Sequence, residues 1–374
     1  MINFLYTNIG RGHPFYLDGI VELLQNQSKL KFKTYDVFEI SRGVSLKAWE
    51  MARLMYKIGS TDSLVGKWYN RFRDKTEYHK KSLPMELMGR DIRKQFIGDD
   101  TPLVVDHPVL VGLLRGKKNL IYQHGEIAVP PQAIVRGADY ILVPIESSAE
   151  TFIRAGYKKE QIIVTGLCVE PRLARYAATN LEGRLERYNS ERPLCGAFYS
   201  SGAEPNPHVE KIQAALKSVF ESGGHSFVYA QKSGRLAEAA GKAVEVMATT
   251  LGICNYETRA ELDELTFRDF HRFDYLVSPS HERTNWALGL GLPMFILEPA
   301  IGPFAPMNQK TLLDSGAAES IESEIEVKNF AKRLEDLRKS GKLAKMARTG
   351  WDKYAINGFR TIADFLLNKY AVNS

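Results

Sequence analysis

Several short polar clusters in the chain follow apolar runs, and their residue types suit chemistry. The first is Asn8-Ile9-Gly10-Arg11-Gly12-His13-Pro14. Gly10 and Gly12 permit positive φ and let another group approach the backbone closely. The helix predicted to follow turns free N–H groups and the positive end of its dipole toward that turn, where they favour negative charge. His13 at the mouth of the turn is placed to act as a base or a hydrogen-bond partner. The pattern is neither a full dinucleotide fingerprint nor a Walker loop. A second cluster is Tyr122-Gln123-His124-Gly125-Glu126, in which His124 and Glu126 are candidate acid, base or acceptor-positioning groups. Asp106 and His107, after Val105, repeat that arrangement on a smaller scale. Both pairs also suit ordinary loop hydrogen bonding.

The second half of the chain carries groups of a different kind. Ser200-Ser201-Gly202 forms a turn suited to cradling a diphosphate with hydroxyls and backbone amides. Gln231-Lys232-Ser233-Gly234 adds a cation, Lys232, after the next apolar run. Ser278-Pro-Ser-His281-Glu-Arg-Thr284, then Glu298-Pro299, then Asn308-Gln309 string three more polar loops along one side of a predicted sheet. No His, Cys or carboxylate cluster has metal-ligand spacing, so no metal is expected.

The elements that must position these groups alternate between short apolar runs and helical patterns, as in parallel α/β folds. The predicted strands are Ile2–Tyr6, Leu103–Val105, Leu120–Tyr122, Tyr140–Val143 and Ile162–Val164, then Leu194–Tyr199, Ser226–Ala230, Tyr275–Val277 and Met294–Leu297. The polar stretch Arg172–Arg192 reads as a connection between domains. The predicted domains are residues 1–172, residues 190–345, and a helical pair over 346–374 that docks on the first domain. Open parallel sheets bind ligands beyond the carboxyl ends of their strands, so two of them facing one another are expected to form a cleft.

Composition narrows the class. A chain of 374 residues with 44% hydrophobic and 25% charged residues suits two globular domains. The sequence shows neither a signal-peptide pattern nor an apolar run of membrane-spanning length, and three scattered cysteines read as reduced thiols. A cytoplasmic protein is expected. The net charge of +6 comes from one stretch, Ser41 to Ser82, with ten Lys and Arg against four Asp and Glu. That asymmetry favours a local anionic contact over a nucleic-acid coat. The same stretch interleaves Trp49, Tyr56, Trp68 and Tyr69 with basic residues such as Arg71. Such a segment is suited to an anionic membrane surface, or equally to covering a core with its aromatic face.

The residues resemble the GT-B glycosyltransferases, in particular the group of the peptidoglycan lipid-intermediate N-acetylglucosaminyltransferase and the glycosyl-diacylglycerol synthases. Gly10-Arg-Gly12-His13 is similar to that family's glycine-rich turn ending in histidine. Ala138-Asp139-Tyr140, Gly156 and Ile163-Val-Thr-Gly166 are similar to the end of its first domain. Thr284 through Gly291-Leu-Pro293, Asn308 and Gly316-Ala-Ala318 are similar to its donor-binding half. The resemblance implies two Rossmann-like domains facing across a cleft and a C-terminal helix crossing back to the first. It also implies a UDP-sugar donor on the second domain, an acceptor on the first, and inversion without a bound metal or cofactor. The chain departs from the pattern in three places. The ribose-gripping carboxylate falls at Trp286, leaving Glu282, Asn285 or Glu298 to replace it. The arginine after the Thr-Gly turn falls near Glu170, with Arg172 displaced. The phosphate turn is shortened to Ser200-Ser201-Gly202.

The expected activity is metal-independent transfer of a sugar from a nucleotide-sugar, UDP-linked by resemblance, to an acceptor hydroxyl, a lipid among the candidates. His13 or Glu126, with His124 beside it, takes the acceptor proton. Gly12, Ser200, Ser201, Gly202, Lys232, His281, Thr284, Glu298, Asn308 and Gln309 line the donor side. Trp49, Tyr56, Trp68, Tyr69 and Arg71 line an acceptor or membrane face, which would make the protein peripheral on the inner membrane surface. Hydrolysis or 2-epimerisation of the nucleotide-sugar, and non-catalytic nucleotide-sugar or lipid binding, are the alternatives.

Overall fold

In the computed structural model the apolar runs become the strands of two parallel sheets. The structure describes residues 1–9, 12–25, 30–59, 78, 82–247 and 250–371. The chain forms two units: Met1–Pro171 together with Ala355–Ser374, and Arg172–Tyr354.

The first unit holds β1 (Ile2–Tyr6), β2 (Phe32–Asp36), β3 (Leu103–Val105), β4 (Leu120–Gln123), β5 (Tyr140–Val143) and β6 (Ile162–Val164). They lie in the order β2-β1-β3-β4-β5-β6, each pair parallel. Every residue of β1, β3 and β4 is buried, so these strands read as continuous apolar runs and not as alternation. The second unit holds β7 (Cys195–Tyr199), β8 (His225–Gln231), β9 (Leu251–Tyr256), β10 (Tyr275–Ser278), β11 (Met294–Leu297) and β12 (Ala318–Ile321). Their order is β12-β11-β10-β7-β8-β9, again all parallel.

Each sheet is doubly wound. In the first unit the strand order reverses between β1 and β3, and in the second between β7 and β10. Loops leaving the carboxyl ends of two strands diverge at such a point and leave room for a ligand.

Two departures from the sequence reading concern the connections. Residues 172–192 are not a linker: they form the helices Pro171–Arg175 and Ala177–Tyr188, and the second lies in the second unit. Arg184 explains why a polar sequence is buried there. Its guanidinium is fully buried and donates to the carbonyls of Phe273 (2.9 Å), Leu290 (3.1 Å) and Gly291 (2.9 Å). Residues 346–354 also belong to the second unit, because Leu343, Met346 and Ala347 of the helix Lys342–Thr349 sit in its core. Only the stretch from Ala355 returns to the first unit.

That return is tight. The Leu167 N–H donates to the Ala355 carbonyl (2.7 Å) and the Gly358 N–H to the Leu167 carbonyl (3.0 Å). The helix Gly358–Tyr370 then packs on Gly12–Gln25, with Phe359 edge-on to Phe15 at 5.4 Å. A Cβ at Gly19 would lie 2.4 Å from the Phe359 ring, so the small residue sets this approach.

Candidate functional site

At the reversal of the first sheet, the loops after β1 and β3 are joined by side chains. The buried Asp106 carboxylate accepts from the Thr7 N–H (3.2 Å) and the Thr7 hydroxyl (3.0 Å). Burial pushes its pKa up to about 7 in spite of those bonds. The Asp106 carbonyl lies 3.0 Å from His13 Nδ1. A carbonyl only accepts, so Nδ1 carries the proton and Nε2 is the basic nitrogen of the neutral ring. His107 stacks edge-on to His13 with centroids 4.3 Å apart. Its Nδ1 accepts from the Val109 N–H (3.0 Å), and burial, with His13 beside it, holds its pKa well below the usual imidazole range. Two imidazoles, one of them held neutral by burial, and a carboxyl titrating near neutrality thus share one loop junction. That set suits proton transfer.

His124 and Glu126 take different parts. His124 is buried, its Nε2–H donates to the Ala128 carbonyl (3.0 Å), and its Nδ1 accepts from the Tyr122 hydroxyl (3.1 Å). Burial lowers its pKa to about 3. With both ring nitrogens engaged, this residue braces its own loop and has no lone pair to offer a substrate. Glu126 is 4% exposed on the same loop. The loop is drawn against the first helix at Gly125, where any Cβ would meet the Tyr16 ring at 2.0 Å.

At the reversal of the second sheet the chemistry changes. The turn after β7 places the hydroxyls of Ser200 and Ser201, and the loop after β10 runs through Ser280, His281, Glu282 and Arg283 to Thr284. Among the described residues, the buried Oγ atoms of Ser200 and Ser201 and the Oγ1 of Thr284 have no hydrogen-bond partner. Buried polar groups are ordinarily paired, so three orphaned hydroxyls in two adjacent loops make a group chemically suited to a polar ligand. Gly202 completes the turn in solvent. Burial lowers the pKa of His281. Asn308 and Gln309 act within the protein: Asn308 Nδ2 donates to the Ser280 carbonyl (3.0 Å), and Gln309 Nε2 donates to Glu298 Oε1 and to Ser320 Oγ (3.1 Å). Glu298 also accepts from the Ala300 N–H (3.0 Å). The loops after β10 and β11 are therefore fixed by residues expected to touch the donor.

No protein-family model and no curated protein sequence matches the chain. Solved structures share its architecture along nearly its whole length. UDP-GlcNAc 2-epimerase from Neisseria meningitidis, bound to UDP-GlcNAc, is 12% identical with a TM-score of 0.59, covering 98% of this chain and 99% of that one. Acinetobacter baumannii MurG is 13% identical with a TM-score of 0.55, covering 98% and 100%. Anabaena Alr3699/HepE in complex with UDP is 12% identical with a TM-score of 0.51, covering 99% of each. This chain has the GT-B fold.

Within that fold several expected donor and acceptor residues lie elsewhere. Lys232 is a surface residue, its ammonium paired with Glu257 at 2.7 Å and its side chain 68% exposed. Trp286, at the position expected for the ribose-gripping carboxylate, is internal: it is 2% exposed, packed edge-on against Tyr199 and Phe270. Trp49 is equally internal, its Nε1–H donating to the Met88 carbonyl (3.1 Å) between the helices Gly43–Gly59 and Leu83–Phe96. Tyr56 on that first helix is half-buried. The outward residues there are Val44, Met51 and Leu54, each at least half exposed. Trp68, Tyr69 and Arg71 lie outside the described residues, as do Gly10 and Arg11. Among the described residues no three His, Cys, Asp or Glu side chains converge as metal ligands would, and no helix is long and apolar enough to cross a membrane.

Proposed function

We propose that this protein is a UDP-sugar enzyme and that its reaction is metal-independent glycosyl transfer to an acceptor hydroxyl. The observation that carries the reading is the content of the two strand-order reversals. One holds an imidazole whose tautomer is fixed by the Asp106 carbonyl, and the other holds orphaned hydroxyls suited to phosphate oxygens. His13 Nε2 takes the proton from the acceptor hydroxyl as its oxygen bonds to the anomeric carbon. The bond from that carbon to the diphosphate breaks, and its electron pair leaves on the diphosphate oxygen. Ser200, Ser201 and Thr284 donate to that oxygen cluster as its charge develops. Neighbours that bind UDP or UDP-GlcNAc on the same fold support the choice of nucleotide. For the acceptor we propose a lipid-linked hydroxyl, supported by the exposed Val44, Met51 and Leu54 beside the basic Arg42, Lys47 and Arg53.

A second reading is 2-epimerisation of the donor sugar. It is favoured by the presence at one loop junction of His13, bonded to the Asp106 main-chain carbonyl, and of the Asp106 carboxyl with its pKa near 7, since moving a proton off and onto carbon needs an acid and a base together. Incubating the protein with UDP-GlcNAc, with and without a lipid-linked acceptor, separates the readings. UDP release that requires acceptor and survives EDTA is the expected result. Conversion to the C2 epimer without UDP release would establish the second reading, and UDP release without acceptor would indicate hydrolysis. Absence of UDP binding would overturn the donor assignment.

A further inference from the structure

We propose that Arg283 supplies the positive charge of a diphosphate subsite, a role that rests on the nucleotide-sugar reading above. Arg283 ends the loop after β10, directly before Thr284. Its guanidinium lies 3.9 Å from the centroid of the Tyr199 ring and 5.4 Å from that of Trp286. Tyr199 is the last residue of β7, immediately before Ser200 and Ser201. The cation therefore stands on the strand whose loop carries two of the orphaned hydroxyls, and the third belongs to its own neighbour.

The contacts of Arg283 are incomplete for a purely structural ion pair. Its side chain is 6% exposed and that of Glu282 5%, and they meet through one bond, Nη1 to Oε1 at 2.9 Å. Nε has no partner among the described residues. A buried guanidinium normally satisfies most of its donors: Arg184 in this same unit gives three bonds to carbonyls, whereas Arg283 gives one, to Glu282. The edge formed by Nε and Nη2 is the fork that matches two oxygens of a phosphate. Glu282 takes Nη1 and Tyr199 a face, so the ring is held while Nε, on the edge it shares with Nη2, remains to be filled. Glu282 is accordingly a positioning residue, which also accounts for a carboxylate buried beside an anion site.

Calorimetric binding of UDP and of uridine to the full-length protein tests this. Arg283→Met is expected to weaken UDP binding 10- to 100-fold, as loss of a charge-assisted bond does, and to change uridine binding less than threefold. Arg283→Lys, which keeps the charge and loses the fork, should fall between. Because Arg283→Met alone leaves Glu282 buried without its partner, the pair Glu282→Gln with Arg283→Met is the folded control, checked by its melting temperature without ligand. UDP affinity within twofold of wild type in that folded pair would overturn the proposal. Equal losses for UDP and uridine would also overturn it, by showing a general structural role. If wild type binds neither nucleotide, the donor reading fails separately, and inorganic pyrophosphate becomes the probe. Pyrophosphate binding lost in Arg283→Met upholds the subsite, and no pyrophosphate binding by wild type refutes it.

Discussion

Between β1 and β3 the loops hold two imidazoles and a buried carboxyl whose pKa is raised to about 7. Between β7 and β10, in a sheet wound by the same rule, the loops hold hydroxyls without partners and a guanidinium. The two reversals share backbone topology and little else. The comparison separates what a doubly wound sheet supplies from what the sequence adds. Topology supplies a place where loops diverge; side chains decide whether it moves protons or holds anions.

Breaking this division is the purpose of four measurements. The largest effect is expected from His13→Ala, which should lower kcat by about 10²- to 10⁴-fold while leaving UDP affinity within twofold. A matching loss of UDP affinity would mean that the first reversal holds the donor and that the division is wrong. Next is Asp106. Its folded pKa of about 7 stands above the ordinary 3.8, so the folded protein keeps a proton that the unfolded chain has released. Its contribution to stability is fully present below about pH 3.8 and is lost as pH rises through 7, by at most on the order of 4 kcal/mol. Asp106→Asn, neutral at every pH, should gain on wild type in denaturant melts as pH is raised over that range. A constant difference would refute a buried titrating carboxyl.

Third, UDP at ~100 times its dissociation constant should stabilise the protein by about 2.7 kcal/mol. Hydrogen exchange should slow in residues 200–202 and 278–284 and stay unchanged at residues 7–9 and 106–107. Slowing at the first reversal alone would reverse the assignment. Smallest is Lys232→Ala, expected to leave UDP affinity within twofold, because that ammonium is engaged with Glu257 in solvent. A tenfold loss would restore Lys232 to the site.

Much of this fold was legible, and the misses follow one physical pattern. The strands found by their apolar runs include every central one. The strands overlooked, β2, β9 and β12, are all at sheet edges, where one side meets solvent and selection for apolar residues relaxes. Phe32–Asp36 and Ala318–Ile321 carry lysine, aspartate or glutamate for that reason. His13 and the Ser200 turn stand out in the sequence because they follow readable strands. Arg283 does not stand out, because a guanidinium stacked on a tyrosine from another strand has no local signature. His124 and Lys232 were over-read for the converse reason: their types suit catalysis, and only their contacts show that they are occupied. The helix Ala177–Tyr188 looked like a linker because its buried anchor is an arginine.

The return of the chain at Ala355 bears on how the protein is made. The first unit needs the helix Gly358–Tyr370 to cover Phe15 and Gly19, yet ribosomes reach that helix only after all of the second unit. At about 5–20 residues per second the delay is roughly ten to forty seconds. Through that interval the first helix keeps its apolar face uncovered. The later-numbered sheet is the one able to finish first, and a nascent chain stalled at residue 354 would carry one closed core and one open to aggregation.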